Sequence, residues 1–305
     1  MPESRLSRPC PTCSTPSAEA PVFLAANLDP KRLSKFSYAS RKVPEFMNYE
    51  FVRCLGCHLV YVREPPTRDE LSRAYHAADY DSAEEATSAA EAYITSLRSV
   101  IAALPCKYAA LEIGTGTGAF LELLEREGFA KLVGIEPSSA AIASAPARRR
   151  EWIIEGVFEE QFFESESFDL VCCFMTMEHV LDPKMIADSS YSLLRPGGVF
   201  ITVTHDYGSP VNRILGKRSP IIDIEHLQLF SKESATELFR RSGFLQVEVK
   251  AFRNRYALRY WWRLLPLPGW LSNFGTRCLS ALRIDSVKLS ANVGNIIAVG
   301  QKPLG

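Results

Sequence analysis

The stretch Ala109-Ala110-Leu111-Glu112-Ile113-Gly114-Thr115-Gly116-Thr117-Gly118-Ala119-Phe120 decides the fold. A short apolar run ends in glycine at every second position. It then opens into Phe120-Leu121-Glu122-Leu123-Leu124-Glu125-Arg126-Glu127-Gly128, whose apolar residues recur at helical spacing and stop at a glycine. The pattern reads as strand, tight turn, helix. Glycine suits such a turn because a side chain would hold the backbone away from a ligand or forbid a positive φ, and the helix start offers unpaired N–H groups. A polar ligand is expected across it.

Two cofactors fit the glycines. Gly114, Gly116 and Ala119 meet the dinucleotide pattern G-x-G-x-x-G/A, which admits a nicotinamide or flavin. Glu112 and Gly118 extend the pattern to E-x-G-x-G-x-G. A glycine-rich turn with no ligand is the third reading.

Downstream, Lys131-Leu132-Val133-Gly134-Ile135-Glu136 reads as a buried strand ending in an acid, placed to accept the ribose hydroxyls of an adenosine. A helix from Ser138 follows, with Arg148-Arg149-Arg150 read as a solvated face near its end. Trp152 to Glu155, Phe168 to Phe174 and Val199 to Thr204 are the next strands, with a helix before Arg195-Pro196-Gly197-Gly198. Strands alternating with helices predict a parallel sheet covered on both faces, with ligands at the carboxyl ends of its strands. Upstream, Thr67 with Glu70 starts one helix as a capping box, and Ala89 to Leu104 forms a second. Tyr75 and Tyr80 either close over the cofactor or pack within this helix pair.

The composition is that of an ordinary globular protein of 305 residues, 47% hydrophobic, with zero net charge. The zero hides a division. Residues 1–63 carry nine basic and five acidic residues, residues 64–250 eighteen and twenty-nine, and residues 251–305 eight and one. No window reaches the ~18 apolar residues of a spanning helix, and the N-terminus lacks an apolar h-region, so a cytoplasmic protein is expected.

Cys10-Pro11-Thr12-Cys13 and Cys54-Leu55-Gly56-Cys57 are two C-x-x-C pairs. At this spacing thiolates form the two knuckles of a tetrahedral zinc site, and four cysteines leave no open position for catalysis. Unpaired thiols or a redox pair are the alternatives. His58 reads as a surface residue, and Cys106, Cys172, Cys173 and Cys278 as inert core residues.

Phe168-Asp169-Leu170-Val171, then Met177-Glu178-His179-Val180-Leu181-Asp182-Pro183, then Leu193-Leu194-Arg195-Pro196-Gly197-Gly198 resemble the class I S-adenosylmethionine (SAM) methyltransferases, and more narrowly the ubiquinone-biosynthesis O-methyltransferases. The resemblance covers about residues 105–250 and the final strand. It implies a Rossmann-like α/β sheet of seven strands, the last of them, Asn295 to Gln301, inserted antiparallel. It also implies SAM lying across Glu112, Gly114, Thr115, Gly116 and Gly118, with its ribose on Glu136. The family often places an acid after the third strand for the adenine amino group; here Gly156 is followed by Val157-Phe158, so backbone groups or Glu159 must substitute. The N-terminal cysteines are similar to those of zinc-containing sugar C-methyltransferases, and ribosomal-RNA guanine methyltransferases also place a zinc ribbon before this fold.

Methyl transfer needs an acceptor held in line and sometimes deprotonated. Glu178 and His179 after the fourth strand, His205 after the fifth, and His226 in Ile224-Glu225-His226-Leu227 are candidate bases, histidine being the usual choice near neutral pH. No Asn-Pro-Pro-Tyr type motif follows the fourth strand, which argues against methylation of an exocyclic base or amide nitrogen.

Arg253, Arg255, Tyr256, Arg259, Tyr260, Trp261, Trp262 and Arg263, followed by Leu264 to Trp270, interleave arginine with aromatics. An anionic substrate, a peripheral membrane contact through 253–270, single-stranded nucleic acid, or a helical lid packed on the domain all suit such a segment.

The expected organisation is a zinc ribbon over 1–64, a helical cap over 65–104, the SAM-binding core over 105–251, a basic aromatic helical insertion over 252–290 and the last core strand over 291–305. The expected activity is SAM-dependent methylation of a hydroxyl or carbon of a small metabolite, of sugar, phosphorylated or lipid-linked type. RNA methylation through the ribbon and basic ends, and a non-catalytic SAM-fold partner protein, are the alternatives.

Overall fold

The computed structural model describes residues 7–34, 37–39, 45–80, 83–263 and 268–304. Arg41–Pro44 and Leu264–Leu267 lie outside the described residues, as do Met1–Leu6 and the side chains of Tyr260, Arg263 and Trp270. The strands are β1 (Val22–Leu24), β2 (Phe51–Arg53), β3 (Val60–Val62), β4 (Ala109–Ile113), β5 (Lys131–Glu136), β6 (Ile153–Glu155), β7 (Phe168–Phe174), β8 (Leu194–His205), β9 (Gln228–Leu229), β10 (Leu245–Ala257) and β11 (Lys288–Gln301).

Seven of these form one sheet in the order β10-β11-β8-β7-β4-β5-β6. Strands β4 to β8 pair in parallel, whereas β11 runs antiparallel between β8 and β10. The expected Rossmann-like class I sheet with an inserted last strand is therefore present. Strands β4 and β7 are buried along their whole length, which is why both read as continuous apolar runs and lie at the centre. Their side chains alternate between faces. Ala109, Leu111, Ile113, Val171 and Cys173 pack with the helices Pro183–Leu193 and Lys232–Arg241. Ala110, Leu170 and Cys172 pack instead with Ala83–Ala102 and Ala119–Arg126.

The glycine turn thus sits at the carboxyl end of a central strand. Asp169 at the start of β7 fixes the other end of β4, accepting the N–H groups of Tyr108 and Ala109 at 2.8 Å each while pairing with Arg195 at 3.0 Å.

The three N-terminal strands β1, β2 and β3 are joined by a fourth, β9, which arrives from the core and pairs antiparallel with β3. Arg8 clamps the same junction. Its guanidinium donates to the carbonyls of Val62 (2.9 Å), Leu227 (3.0 Å) and Leu181 and to the side-chain oxygen of Gln228 (3.3 Å). Burial pushes its pKa down to about 10, which still leaves it charged at neutral pH. Removing this side chain would strand several buried acceptors at once.

The basic aromatic segment begins as strand rather than helix. Arg253, Arg255 and Tyr256 lie on β10, which pairs with β11 beyond the body of the sheet, and the helices Leu258–Arg263 and Gly269–Ala281 follow. Arg259 with Glu84 and Lys288 with Glu91 tie this projection to the helix Ala83–Ala102. Among the described residues no helix is long and apolar enough to cross a membrane.

Two expectations are corrected. Of the four cysteines expected in the core, Cys106 is exposed and Cys278 half-buried. Arg149 is not solvated: its side chain is 16% exposed and pairs with Glu122 at 2.5 Å, which holds that carboxyl below its usual range.

Candidate functional site

The turn after β4 is left-handed at Gly114 (φ 76°) and Gly116 (φ 58°), a conformation that costs other L-residues energy. The two positions serve different ends. A Cβ on Gly114 would lie 2.2 Å from Thr176 Oγ1, so glycine lets the loop after β7 close on the turn. A Cβ on Gly116 would meet nothing within 4 Å, so that position borders open space. Helix Ala119–Arg126 starts at Gly118 without a side-chain cap, leaving its first N–H groups for a ligand.

Two acids flank this space. Glu136, 8% exposed, accepts the N–H of Gly116 at 2.8 Å and of Ser138 at 2.9 Å, one on each oxygen. Those bonds orient the carboxylate and leave each oxygen a further lone pair for a ribose hydroxyl. Burial raises its pKa, against the pull of the two backbone donors. Glu112 is buried and accepts the hydroxyl of Thr115 at 2.5 Å. An open glycine position, an uncapped helix start and an oriented acid fit the cofactor that the sequence implies. After β6, Gly156 (φ 144°) donates its N–H to the Glu136 carbonyl, and Phe158 is buried against Phe163, so no side chain of this short stretch supplies an acid.

Beside the turn, three histidines converge from three loops. The ring centroids of His179 and His226 are 4.9 Å apart, and those of His205 and His226 5.4 Å. Each ring is oriented through Nδ1. His226 donates to the Ile221 carbonyl (2.8 Å), His179 to the Glu225 carbonyl (3.2 Å) and His205 to the Asn295 side-chain oxygen (2.8 Å). The Asn295 amide nitrogen is itself engaged with Asn254, which fixes that side chain's orientation. A carbonyl only accepts, so Nδ1 carries a proton in each ring. Burial pushes the His205 pKa down to about 4, so this ring is neutral at physiological pH.

Glu178 lies beneath the set at 0% exposure. Its side-chain carboxyl accepts the backbone N–H of His205 at 2.6 Å and its backbone carbonyl accepts from Leu227 and Gln228, so it brackets the three loops. Burial pushes its pKa up to about 8. Tyr75 packs edge-on over His179, centroids 6.2 Å apart, and so covers this set. Sequence reading missed Glu225, Thr176, Asn295 and Arg8, none of which stands in a recognisable motif.

Cys10, Cys13, Cys54 and Cys57 place their sulfurs within 4.8 Å of one another, with Cys10 and Cys57 at 3.5 Å and Cys13 and Cys54 at 3.4 Å. A tetrahedral ion with bonds of about 2.3 Å requires edges of about 3.8 Å. The N–H groups of Gly56 and Cys57 point at Cys54 Sγ, as thiolate charge requires. His58 lies outside this group and pairs weakly with Glu233 at 3.7 Å.

A cleft of about 920 Å³ opens between β1 and the segment after β8. Arg53, Arg213, Lys217 and Lys232 line it, as does Asn295, the residue that orients His205. Residues 114–118 and Glu136 do not line it, so this cleft is distinct from the open space beside Gly116.

Curated relatives share part of the core. The chain is 32% identical over 114 residues to the ubiquinone biosynthesis O-methyltransferase of Alkalilimnicola ehrlichii, covering 35% of this chain and 46% of that one. It is 30% identical over 102 residues to the Psychrobacter arcticus enzyme of the same name, covering 31% and 39%. The matches therefore span under half the length of these relatives. Among solved structures, a SAM-dependent methyltransferase from Archaeoglobus fulgidus superposes with a TM-score of 0.48 at 17% identity, covering 70% of this chain and 94% of that one. A methyltransferase-domain family model matches residues 86–249, more than half of the sequence, and the chain belongs to that family.

Proposed function

We propose that the protein transfers a methyl group from SAM to a hydroxyl oxygen of a small anionic metabolite, and that its four cysteines hold a structural zinc ion. The observation that carries the first reading is the histidine set. Three imidazoles, the neutral His205 among them, lie beside the loop that closes on the glycine turn, since His179 donates its backbone N–H to the carbonyl of Thr176 and Thr176 contacts Gly114.

Bound in the groove, the cofactor supplies an activated sulfonium methyl carbon. The residues do the rest. Glu136 orients the ribose and the uncapped helix start faces the polar end. The acceptor's oxygen would lie at the histidine set, where Nε2 of the neutral His205 would take the hydroxyl proton as the oxygen accepts the methyl group. Tyr75 over His179 limits water there. The cleft beside His205 sets four basic side chains against two acids, Asp206 and Glu233, a balance that suits an acceptor carrying negative charge.

Labelled SAM incubated with fractionated anionic metabolites tests this reading. The His205→Ala variant is expected to lose about 10²–10⁴-fold in turnover, the usual worth of positioned proton transfer, while SAM affinity stays within about threefold. Equal loss of both would reduce His205 to a structural brace.

A further inference from the structure

We propose that His179, Glu225 and His226 form a site for a divalent transition-metal ion such as Mn²⁺, Fe²⁺ or Co²⁺, on the acceptor side of the cofactor groove. The inference rests on the methyltransferase reading for what the ion does, and on the geometry alone for its existence.

The three residues each bring one donor atom to within 4.8 Å of the other two. Two imidazoles and one carboxylate are the set that holds such ions facially, leaving positions open for substrate. The hydrogen bonds behind the rings point the same way. Metal-ligating histidine almost always donates its other N–H to a carbonyl or carboxylate, and here His226 Nδ1 donates to Ile221 O and His179 Nδ1 to Glu225 O. Glu225 therefore serves twice, its carbonyl orienting one ligand while its side chain is another.

A second observation is independent of the ligands. Glu178 is fully buried, and its Oε2 has no hydrogen-bond partner among the described residues, although Oε1 takes the His205 N–H. It sits against the loop carrying Glu225 and His226, because its carbonyl accepts from Leu227 and Gln228. An orphaned carboxyl oxygen in the interior is costly, and a cation within reach would offset that cost.

The ion differs from the one expected at the cysteines. Thiolates select zinc, whereas a nitrogen and oxygen set suits harder ions. With two open positions side by side, it fits an acceptor whose hydroxyl stands next to a second oxygen, a vicinal diol or hydroxy-carbonyl group. Coordination acidifies that hydroxyl, and its proton passes to Nε2 of His205, which is outside the ligand set.

The test uses the zinc-loaded full chain, dialysed against metal-free buffer and titrated with Mn²⁺ alone, free ion being read by electron paramagnetic resonance. One Mn²⁺ per chain in addition to zinc is expected. Glu225→Gln should weaken it at least about a hundredfold, the upper end of what losing even an outer partner costs. His179→Ala should do the same. Retained zinc and retained SAM binding in the variants show that the fold survives. The absence of Mn²⁺ binding, or binding unchanged in both variants, would mean a hydrogen-bonded brace only and overturn the proposal. Mn²⁺ bound as expected with no SAM binding would instead leave the metal site standing and sink the methyltransferase reading.

Discussion

Replacing Cys54 by alanine is expected to abolish zinc binding, melt the four-stranded sheet and cut turnover by at least about a hundredfold while SAM binding survives. The first two effects follow from the cysteine cluster. Structural zinc contributes on the order of 10 kcal/mol in small modules, comparable to the whole stability of an ordinary domain. β1, β2 and β3 have only three residues each, too little to hold a sheet without a staple. The third effect follows from topology. β9 pairs with β3, and β9 begins two residues after His226, so loss of the ribbon frees the loop that positions that ring. A misplacement of about 1 Å costs on the order of 10²-fold in rate. The proposed SAM site lies at the ends of β4 and β5 in the other sheet and should be spared. Metal analysis, hydrogen exchange over 51–62 and 226–230, and turnover together check the chain of effects. Zinc retained in the variant, or turnover surviving zinc loss, would contradict it.

Gly116→Leu should remove SAM binding and leave the protein folded. The backbone there is left-handed, so a side chain costs about 1–2 kcal/mol. That is affordable for a domain holding ~5–15 kcal/mol. The space a leucine would enter is open, and it is the space assigned to the cofactor. Gly114→Leu is the contrasting control, because its Cβ would drive into Thr176 and destabilise the fold itself. A melting curve near wild type with SAM affinity lost by more than about a hundredfold is the expected pair of results for the Gly116 variant. Unchanged SAM affinity would remove the cofactor from the turn.

Much of the core was legible because its signals are local. Phe168–Phe174 is a strand from end to end because seven consecutive buried positions leave no helical alternative in so short a run. Thr67 and Glu70 form the expected capping box, and the four cysteines converge as their spacing predicts. What was not legible depends on long-range pairing. β9 is two residues long and exists only because β3 offers an edge. Arg8 gained its role from the carbonyls of Val62, Leu181 and Leu227, all distant from it in sequence. Arg149 looked like one of three solvated arginines, and only the helix opposite, with Glu122, distinguishes it. Glu225 sits beside a histidine that drew attention, but its own part depends on the loop fold around it. The extension of β10 and β11 escaped notice because the aromatic and arginine content of 253–263 fits a helix as well as a strand.

The central claim is that the glycine turn and Glu136 hold SAM, and a calorimetric titration of the zinc-loaded protein with SAM, and in parallel with NAD, tests it most directly. The account predicts one saturable SAM site per chain and none for NAD. It also predicts a pH dependence. The ribose hydroxyls donate to the ionised form of Glu136, whose pKa burial has raised, so SAM affinity should fall as pH drops toward that raised value, sooner than an ordinary glutamate would allow. Glu136→Gln should bind more weakly and lose this dependence. Binding of NAD in place of SAM, or no adenosyl ligand bound at any pH, would contradict the account.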